Sequence, residues 1–338
     1  MKEDTFINLI KNALPASNFY IGDDTAYIAH RDLVLTVDTL IEDVHFRRAT
    51  ISPFDLGIKS VAVNLSDIAA AGAIPEFILI SLSLPPDIDE TFIKEFYGGV
   101  NTICTKYGVL VVGGDITGAS KISISITVIG KSGNIPPAGR GNAKHGDIVF
   151  VTGEFGSSRA GLWILEEALK NSEKYDSGID DTLKEKFIKA HINPVPQLEI
   201  GRETVKTASE LSQSPPAMMD SSDGLADALY KICKMSNVSM DIELENIPSD
   251  IGLKDVANLA KIDPLKWIFF GGEDYQLVVT VPEEVYQQLK AKGLNIYSIG
   301  KVTPSQGNPA VSVKHCGNTI FEITQQSLDN NGFDHFKN

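Results

Sequence analysis

The sequence predicts a protein of the α/β (α+β) class with two domains that meet near residue 136. Its 338 residues exceed what one hydrophobic core usually organises, so two domains of ordinary size are expected. Strand-like and helix-like segments alternate along the chain, and the alternation breaks at Ile135-Pro136-Pro137 before it resumes. We therefore expect one domain over residues 1–136 and another over residues 137–338. Because both halves mix the two kinds of segment, two separate sheets are favoured over one doubly wound sheet.

The first half contains four strand-like and two helix-like segments. The strand-like segments are apolar runs or alternate apolar with polar residues, whereas the helix-like segments repeat apolar residues every three to four positions. Residues 109–112 are apolar throughout and are expected to form a buried strand. The predicted strands are residues 33–37, 77–84, 109–112 and 122–130, and the predicted helices are residues 56–73 and 92–107.

The second half repeats this alternation and then ends in a polar stretch. Its segments follow the same periodicities, which again predicts strands mixed with helices. The stretch after Phe321 is expected to lie over the surface as far as residues 332–336. The predicted strands are residues 147–151, 240–244, 277–281 and 296–300, and the predicted helices are residues 160–170 and 225–235.

The charge balance and the cysteines limit which binding partners and which cellular compartment are expected for the protein. The chain has 44 acidic and 30 basic residues, and its net charge of −14 disfavours nucleic acid, whose phosphates are bound by Lys/Arg surfaces. Its three cysteines form no CxxC pair, which argues against a disulfide framework and against a zinc site. The N-terminus is acidic, and no run approaches the ~18 apolar residues of a membrane helix. A cytoplasmic protein without a membrane segment is predicted.

Acidic residues recur beside glycines and at the ends of predicted elements, where α/β proteins place their sites. Taken singly, each is more typical of a turn or a helix cap. If several converge, two carboxylates about 4 Å apart repel by roughly 4 kcal/mol at an effective dielectric near 20, so they must protonate or bind a cation. An all-oxygen set favours a hard ion, magnesium before calcium. The residues concerned are Asp23, Asp24, Asp38, Asp67, Asp115, Asp220, Asp223, Glu273 and Asp274.

The common nucleotide-binding loops are missing from the sequence. The chain has neither the Walker sequence GxxxxGK[ST] nor the Gly-rich loop of protein kinases with its HRD and DFG partners. Residues 153–159, with the sequence GEFGSSR, either place a helix N-terminus near an anion or form a turn with a serine cap. Among the histidines, only His45 lies beside the acidic segments.

Taken in order, several motifs resemble those of the thiamine-monophosphate kinases. The resemblance covers nearly the whole chain with plausible spacing, so it is much more specific than any single motif. The motifs are GDDTA at 22–26, TVDTL at 36–40, VHF at 44–46, KSVAVNLSDIAAAGA at 59–73, GGD at 113–115, GR at 139–140, MDSSDGL at 219–225, GGEDYQL at 271–277 and GFDHF at 332–336.

This resemblance implies a fold, an assembly and a reaction. The amino-terminal domain would form a mixed sheet that pairs with its copy into the barrel of a homodimer, with residues 77–84 as a strand able to pair across the axis. ATP and several Mg²⁺ ions would lie in the cleft between the domains. The reaction would be ATP-dependent phosphorylation of thiamine monophosphate to thiamine diphosphate by in-line transfer. Because the acceptor phosphate is already ionised near neutral pH, the protein's task would be positioning and charge neutralisation.

The resemblance also implies roles for single residues. The catalytic carboxylates that hold magnesium against the phosphates would be Asp24, Asp38, Asp67, Asp115 and Asp220. The full set of metal positions would be Asp24, Thr36, Val37, Asp38, Asp67, Asp115, Asp220 and Asp223, where Val37 can offer only its backbone carbonyl. The nucleotide contacts would be Tyr97, Gly114, Asp115, Arg140 and Ser222, and the substrate contacts would be His45, Glu273 and Phe333.

The chain departs from the family pattern at a few positions. Asp43 stands where a Gly is usual, Ala71 where a Met is usual, and Ser221 where an Ile or Leu is usual. The proline segment that ends at Gln197 lacks the basic residues that the family often has there. These departures concern the finer phosphate contacts rather than the metal set.

Two other functions stay open at this stage. One is an ATP-dependent ligase or synthetase of the same superfamily, similar to aminoimidazole ribonucleotide synthetase; His45 and Phe333 favour the kinase over it. The other is a non-catalytic nucleotide-binding protein built on the same scaffold. The acidic positions are all retained, which argues against a decayed scaffold, and turnover would decide.

Overall fold

The computed structural model describes residues 3–14, 20–170, 178–305 and 307–332, and it confirms the predicted mixed α/β fold with two sheets. The first half contains α1 (Glu3–Ala13), β1 (Ala26–Ile28), β2 (Leu33–Ile41), α2 (Pro53–Ala70), β3 (Ile74–Leu84), α3 (Glu90–Tyr107), β4 (Leu110–Gly118) and β5 (Ser123–Lys131). The second half contains β6 (Ile148–Val151), α4 (Ser157–Lys170), α5 (Asp181–Ile192), α6 (Leu198–Glu210), β7 (Ala217–Asp220), α7 (Leu225–Ser236), β8 (Val238–Glu243), α8 (Leu253–Leu259), α9 (Pro264–Phe270), β9 (Leu277–Val281), α10 (Glu283–Ala291), β10 (Tyr297–Pro304), β11 (Val311–His315), β12 (Asn318–Ile323) and α11 (Gln325–Asn331).

The first sheet has five strands in the order β1-β2-β5-β3-β4. Only β3 and β4 run parallel; the other neighbours are antiparallel. Alternate residues of β5 are buried, and they face α2 and α3. The two helices approach closely because both carry a glycine at the contact: a Cβ on Gly57 would lie 2.1 Å from the carbonyl oxygen of Phe96, and one on Gly99 would lie 1.9 Å from that of Phe54.

The second sheet has seven strands in the order β12-β11-β8-β10-β6-β9-β7. Only β11 and β8 run parallel. Strands β6, β7 and β9 are buried at every position, as apolar strands covered on both faces are. At the end of α2, Ala69 and Ala70 belong to the same core cluster as Val205 of α6 and Leu277 of β9. Helix α2 therefore packs against both halves of the protein.

Every predicted strand and helix overlaps an observed element of the same type, and two expectations need correction. The strand predicted as buried at residues 109–112 is β4, which runs on to Gly118 and is exposed at every position because it forms the edge of the first sheet. The stretch after Phe321 was expected to trail over the surface. It instead completes β12 and forms α11, which begins with a capping box between Thr324 and Ser327.

The fold also bears on three further expectations: the pairing of β3, the domain boundary and the absence of a membrane helix. Strand β3, which contains residues 77–84, has β5 on one side and β4 on the other, so it cannot pair with another chain through its own edge. The expected domain boundary at residues 136 and 137 lies between β5 and β6 and stays a prediction. Among the helices of the described ranges, none has the length and apolar character that a membrane span requires.

Candidate active site

A cavity of about 1140 Å³ lies between β2 and α2 on one side and α4 and α7 on the other. Two groups of ionisable side chains line it or lie against it. We call the group around Asp24, Asp67 and Asp220 the acidic end, and the group around Glu273, Lys59 and His191 the acceptor end. Both halves of the chain contribute to each group, which agrees with the expected cleft between two domains.

At the acidic end, carboxylates from three separate segments meet. Asp24 precedes β1, Asp67 lies on α2, and Asp220 is the last residue of β7. One oxygen from each lies within 4.8 Å of the other two. Sequence-distant carboxylates that are brought this close repel each other strongly, so the group requires protons or a cation.

The acid–base properties of this group show the repulsion. Burial raises the pKa of Asp67 well above its usual value, and the nearby Asp38, Asp220 and Asp24 raise it further. Burial also raises the pKa of Asp220 to about 7, with additional contributions from Asp24 and Asp38. Both carboxyl groups therefore favour the neutral, protonated form unless positive charge is supplied nearby.

Neighbouring hydroxyl groups hold these carboxylates in place. The Thr36 hydroxyl donates to Asp67 Oδ2 at 2.5 Å. The Ser66 hydroxyl donates to Asp220 Oδ2 at 2.7 Å, and the Ser222 hydroxyl donates to Asp220 Oδ1 at 3.2 Å. Thr36 and Ser222 were expected at this site from the family resemblance; the contact of Ser66 was not.

One carboxylate oxygen tests whether a metal ion fits. Asp24 Oδ1 forms an ion pair with Arg140, whereas Asp24 Oδ2 is buried without a hydrogen-bond donor among the described residues. A buried, unsatisfied carboxylate oxygen is costly unless something binds it. The donor set is all oxygen, which suits Mg²⁺. The residues of the acidic end therefore fit a hard divalent cation.

Arg140 supplies the fixed positive charge of the acidic end. In addition to its ion pair with Asp24, its backbone N–H donates to Asp23 Oδ2 at 3.2 Å. Burial alone would lower the pKa of Arg140, but the charge and hydrogen bond of Asp24 raise it above its usual value. The guanidinium stays charged next to the carboxylates.

Other expected metal positions surround the group. The Asp38 N–H donates to Asn64 Oδ1 at 2.8 Å, which ties β2 to α2. Asp223 lines the cavity and lies 3.5 Å from Lys231 Nζ. Val37 also lines the cavity, and its apolar side chain has no ligand atom, so only its carbonyl is available.

At the acceptor end, Glu273 is held by two basic side chains. Lys59 Nζ lies 2.9 Å from Glu273 Oε1, and His191 Nδ1 lies 3.4 Å from Oε2. Burial would raise the pKa of Glu273, but the charge of Lys59 and the proximity of His191 hold it below its usual value. Burial, together with the charge of Lys59, lowers the pKa of His191 to about 3. The carboxylate is therefore ionised and the imidazole neutral near pH 7.

The backbone around Glu273 is unusual. Glu273 has a φ of +58°, a left-handed conformation that costs energy for a residue with a Cβ. Its N–H donates to the Ser222 carbonyl at 2.7 Å, so the loop of Glu273 is bound to the loop that follows Asp220.

His45 lines the same cavity, and its Nδ1 accepts the Ile41 N–H at 3.0 Å. That hydrogen bond places the ring proton on Nε2 when the imidazole is neutral.

Several expected site residues lie elsewhere. Asp115 and Gly114 are on the exposed edge strand β4, and Tyr97 is on α3, packed edge-on against Phe96. None of the three lines the cavity. Asp115 is in register with Ser81 on β3, and β5 separates β3 from β2. Phe333 lies outside the described residues.

The residue pairing gives the distance of Asp115 from the acidic end. In the first sheet, the row that contains Asp115 continues through β3 and β5 to Thr39 on β2. Three strand spacings of about 4.8 Å each put Asp115 about 14 Å from the neighbour of Asp38. Asp115 therefore cannot join the acidic end of its own chain.

Two departures from the family pattern have a structural explanation. Asp43 has a φ of +66°, a conformation that Gly adopts freely and that Asp tolerates better than most residues. Ser221 is fully buried, and its hydroxyl accepts the N–H of Gln276 at 3.0 Å. Ala71 is the residue that follows α2 and is buried.

The structure adds residues that sequence reasoning did not single out. Lys59 was only part of a motif, and His191 was not considered. Lys59 is the only basic residue of the small-residue helix α2, which is a signal for a buried ion pair because lysine is almost never buried unpaired. For His191 the sequence offers no comparable signal, since its partner is far away in the chain. Arg159 of α4 also lines the acceptor end.

Comparison with known proteins relates this geometry to families. Residues 22–132 match the family AIR synthase related protein, N-terminal domain, and residues 144–311 match AIR synthase related protein, C-terminal domain. The thiamine-monophosphate kinase of Bacillus subtilis is 37% identical over 327 residues, which cover 94% of this chain and 93% of that protein. The thiamine-monophosphate kinase of Aquifex aeolicus is 36% identical over 303 residues, 89% of this chain and 91% of that protein.

Solved structures give the same result. A structure described as AaThiL complexed with AMPPCP and TMP matches with a TM-score of 0.82 and 34% identity, over 99% of this chain and 97% of that chain. Thiamine-monophosphate kinase from Stenotrophomonas maltophilia matches with a TM-score of 0.70 and 28% identity, over 85% of this chain and 86% of that chain. Hydrogenase maturation protein HypE in complex with ATP, at 16% identity and a TM-score of 0.65 over 86% of this chain and 84% of that chain, shares the fold.

Proposed function

Since this chain belongs to the family of thiamine-monophosphate kinases, we propose that it transfers the γ-phosphate of ATP to thiamine monophosphate, giving ADP and thiamine diphosphate. The observation that carries the proposal at the level of residues is the acidic end, where three carboxylates meet and one buried oxygen of Asp24 lacks a donor among the described residues. The curated relatives are kinases, which favours this reaction over that of a ligase or synthetase.

The acidic end is proposed to hold Mg²⁺ through Asp24, Asp67 and Asp220, with Thr36, Val37, Asp38 and Asp223 around them. When bound, the metal would neutralise carboxylate and phosphate charge together and polarise the phosphate oxygens. Thr36, Ser66 and Ser222 fix the direction of the carboxylates by donating to them. Arg140 and Ser222 lie where the phosphates of ATP would meet this group.

The acceptor end is proposed to orient thiamine monophosphate. Lys59 and His191 engage both oxygens of Glu273, so the carboxylate has a fixed direction before substrate binds. The hydrogen bond from Ile41 to Nδ1 places the proton of the neutral His45 ring on Nε2. Phe333 is proposed, from the family resemblance, to contact the thiamine ring.

A direct assay tests the reaction. The purified protein is incubated with ATP, Mg²⁺ and thiamine monophosphate, and thiamine diphosphate and ADP are quantified by chromatography. We expect equal amounts of the two products, and no product from unphosphorylated thiamine. Absence of thiamine diphosphate would refute the kinase, and equal turnover of thiamine would refute direct transfer to a phosphate.

The free edges of the first sheet support a homodimer. β1 covers β2 only from Leu33 to Leu35, so the outer edge of β2 beyond that point has no strand beside it in the described ranges. The outer edge of β4 is equally unpaired there. Two such edges in each chain can close a barrel across a twofold axis, with β4 of one copy beside β2 of the other. This pairing would bring Asp115 to the acidic end of the second copy.

Mixing two inactive variants tests this arrangement. Asp67→Asn and Asp115→Asn are co-expressed, so that about half of the dimers contain one of each. If Asp115 acts in the neighbouring site, each mixed dimer has one intact site, and about a quarter of wild-type activity should return. No recovery in a verified mixed dimer, or a stable monomer in light scattering, would contradict the shared site.

A further inference from the structure

Most positive charge at the acceptor end is already paired. Lys59 forms an ion pair with Glu273, and Arg47 NH1 lies 3.1 Å from Glu166 Oε1. His191 is neutral near pH 7 because its pKa lies at about 3. These side chains hold one another and leave little net charge for an incoming anion.

Arg159 differs from them. It lies in the first turn of α4 and lines the acceptor end of the cavity. Within the described parts of the chain, no carboxylate forms an ion pair with its guanidinium. The Arg159 side chain passes beside Gly271, where a Cβ would lie 2.9 Å from Arg159 Cβ. Because Gly271 has no side chain, there is room for Arg159 next to the loop that contains Glu273.

The amino end of α4 does not offer a competing anion site. The backbone N–H groups of Gly156 and Ser158 donate to the two carboxylate oxygens of Asp274, at 2.8 and 3.0 Å. Asp274 therefore already occupies two of the N–H donors that could otherwise bind an anion at this helix N-terminus. The guanidinium of Arg159 is a charged donor group at this end of the helix, and it lines the cavity.

We propose that Arg159 binds the phosphate of the acceptor and so makes the enzyme prefer a phosphorylated acceptor over the free alcohol. The inference rests on the proposed function and names the residue behind its substrate preference. A guanidinium can donate two parallel hydrogen bonds to phosphate oxygens, which gives direction as well as charge. It also offsets the repulsion that an anionic acceptor meets in a chain of net charge −14, near the carboxylates of the acidic end.

The test separates binding of the phosphate from binding of the ring. In Arg159→Met, the KM for thiamine monophosphate, the KM for ATP and the inhibition constant of unphosphorylated thiamine are measured. We expect the KM for thiamine monophosphate to rise by about 10-fold or more. The KM for ATP and the inhibition constant of thiamine should change by less than about 2-fold. Arg159→Lys should recover part of the loss, because it keeps the charge without the two-pronged geometry. Lys170→Met, in the last turn of the same helix, is the matched control.

Two results would overturn the inference. One is an unchanged KM for thiamine monophosphate in Arg159→Met; the other is a rise in this KM matched by an equal rise in the thiamine inhibition constant, which would indicate a contact to the ring or a distorted cavity. A wild-type protein that fails to phosphorylate thiamine monophosphate would instead overturn the proposed function. In that case, the affinity for thiamine monophosphate is measured by calorimetry for the wild type and for Arg159→Met. Equal affinities of the two proteins would contradict a role of Arg159 in binding the phosphate.

Discussion

Charge is balanced in opposite ways at the two ends of the cavity. At the acidic end, Asp67 and Asp220 lie together with Asp24, and burial plus mutual repulsion raises the pKa of the first two. At the acceptor end, Glu273 has Lys59 and His191 beside its two oxygens, and its pKa is lowered. One end needs positive charge from a ligand, whereas the other is neutralised by its own residues. Substitutions at the two ends should therefore separate activity from stability.

The largest expected effect is on turnover at the acidic end. Asp67→Asn and Asp220→Asn keep the side-chain size but remove a charged ligand, and each should lower kcat by at least about 10²-fold, roughly 2.7 kcal/mol. Without metal, the melting temperature should stay the same or rise, because repulsion is relieved. Asp181→Asn, at the exposed start of α5, is the control for the substitution itself. Preserved turnover with a lower melting temperature would mean that these aspartates are structural.

The acceptor end should show the reverse, with a large loss of stability. Lys59 is 1% exposed, and Lys59→Met leaves Glu273 without its main countercharge. We expect the free energy of unfolding to fall by roughly 3 kcal/mol, measured by urea denaturation of the metal-free protein. The double variant Lys59→Met/Glu273→Gln should recover part of this loss, since no unpaired charge remains. If the single and double variants were equally unstable, lost packing rather than lost charge would be the cause.

The pH dependence of stability tests His191. Its pKa falls from 6.5 to about 3 on folding, so the unfolded chain binds the proton more readily between these values. The stability from neutral His191 is full above pH 6.5 and decreases as the pH falls. Between pH 7 and pH 5 the loss should be about 2 kcal/mol. His191→Gln should lack this component. Parallel curves of stability against pH for variant and wild type over this range would show that folding does not lower the pKa of His191.

The smallest effect should come from a single hydroxyl at the acidic end. Thr36→Val keeps the side-chain shape but removes the donor to Asp67 Oδ2. One hydrogen bond contributes about 1 kcal/mol, so we expect a loss of about 5-fold in kcat/KM and a small change in melting temperature. Steady-state kinetics at saturating Mg²⁺ measure the effect. A loss as large as that of Asp67→Asn would mean that the hydroxyl itself binds the metal.

Local patterns were enough to predict much of the fold. Strands such as β9 and helices such as α3 are visible as apolar periodicities, because side-chain spacing depends on the backbone of the element alone. The burial of β4 was predicted wrongly for the complementary reason. Its apolar run, residues 109–112, has the composition of a central strand, yet the order of strands places it at an edge. Strand order depends on pairings between distant segments, which composition does not encode.

The same distinction explains which site residues were predictable. Asp24, Asp67 and Asp220 could be proposed to converge, since Asp24 and Asp220 stand in motifs beside a glycine or at the end of an element and Asp67 stands in the motif of helix α2. The structure brings ligand oxygens of the three within 4.8 Å. The contact of Lys59 with Glu273 joins two distant segments and has no local signature beyond a single basic residue in helix α2. The distance of Asp115 from the acidic end likewise follows from the sheet and not from the GGD motif.

Helix α2 limits how the sequence can vary in length. Asn64 accepts the N–H of Asp38 on β2, Ser66 donates to Asp220 at the end of β7, and Asp67 accepts from Thr36 on β2. Each residue added to or removed from an α-helix turns all that follows by about 100° and shifts it by about 1.5 Å. A single insertion before Asn64 would therefore displace the contacts to both sheets at once. A change in the number of residues between Lys59 and Asp67 would therefore disrupt the site.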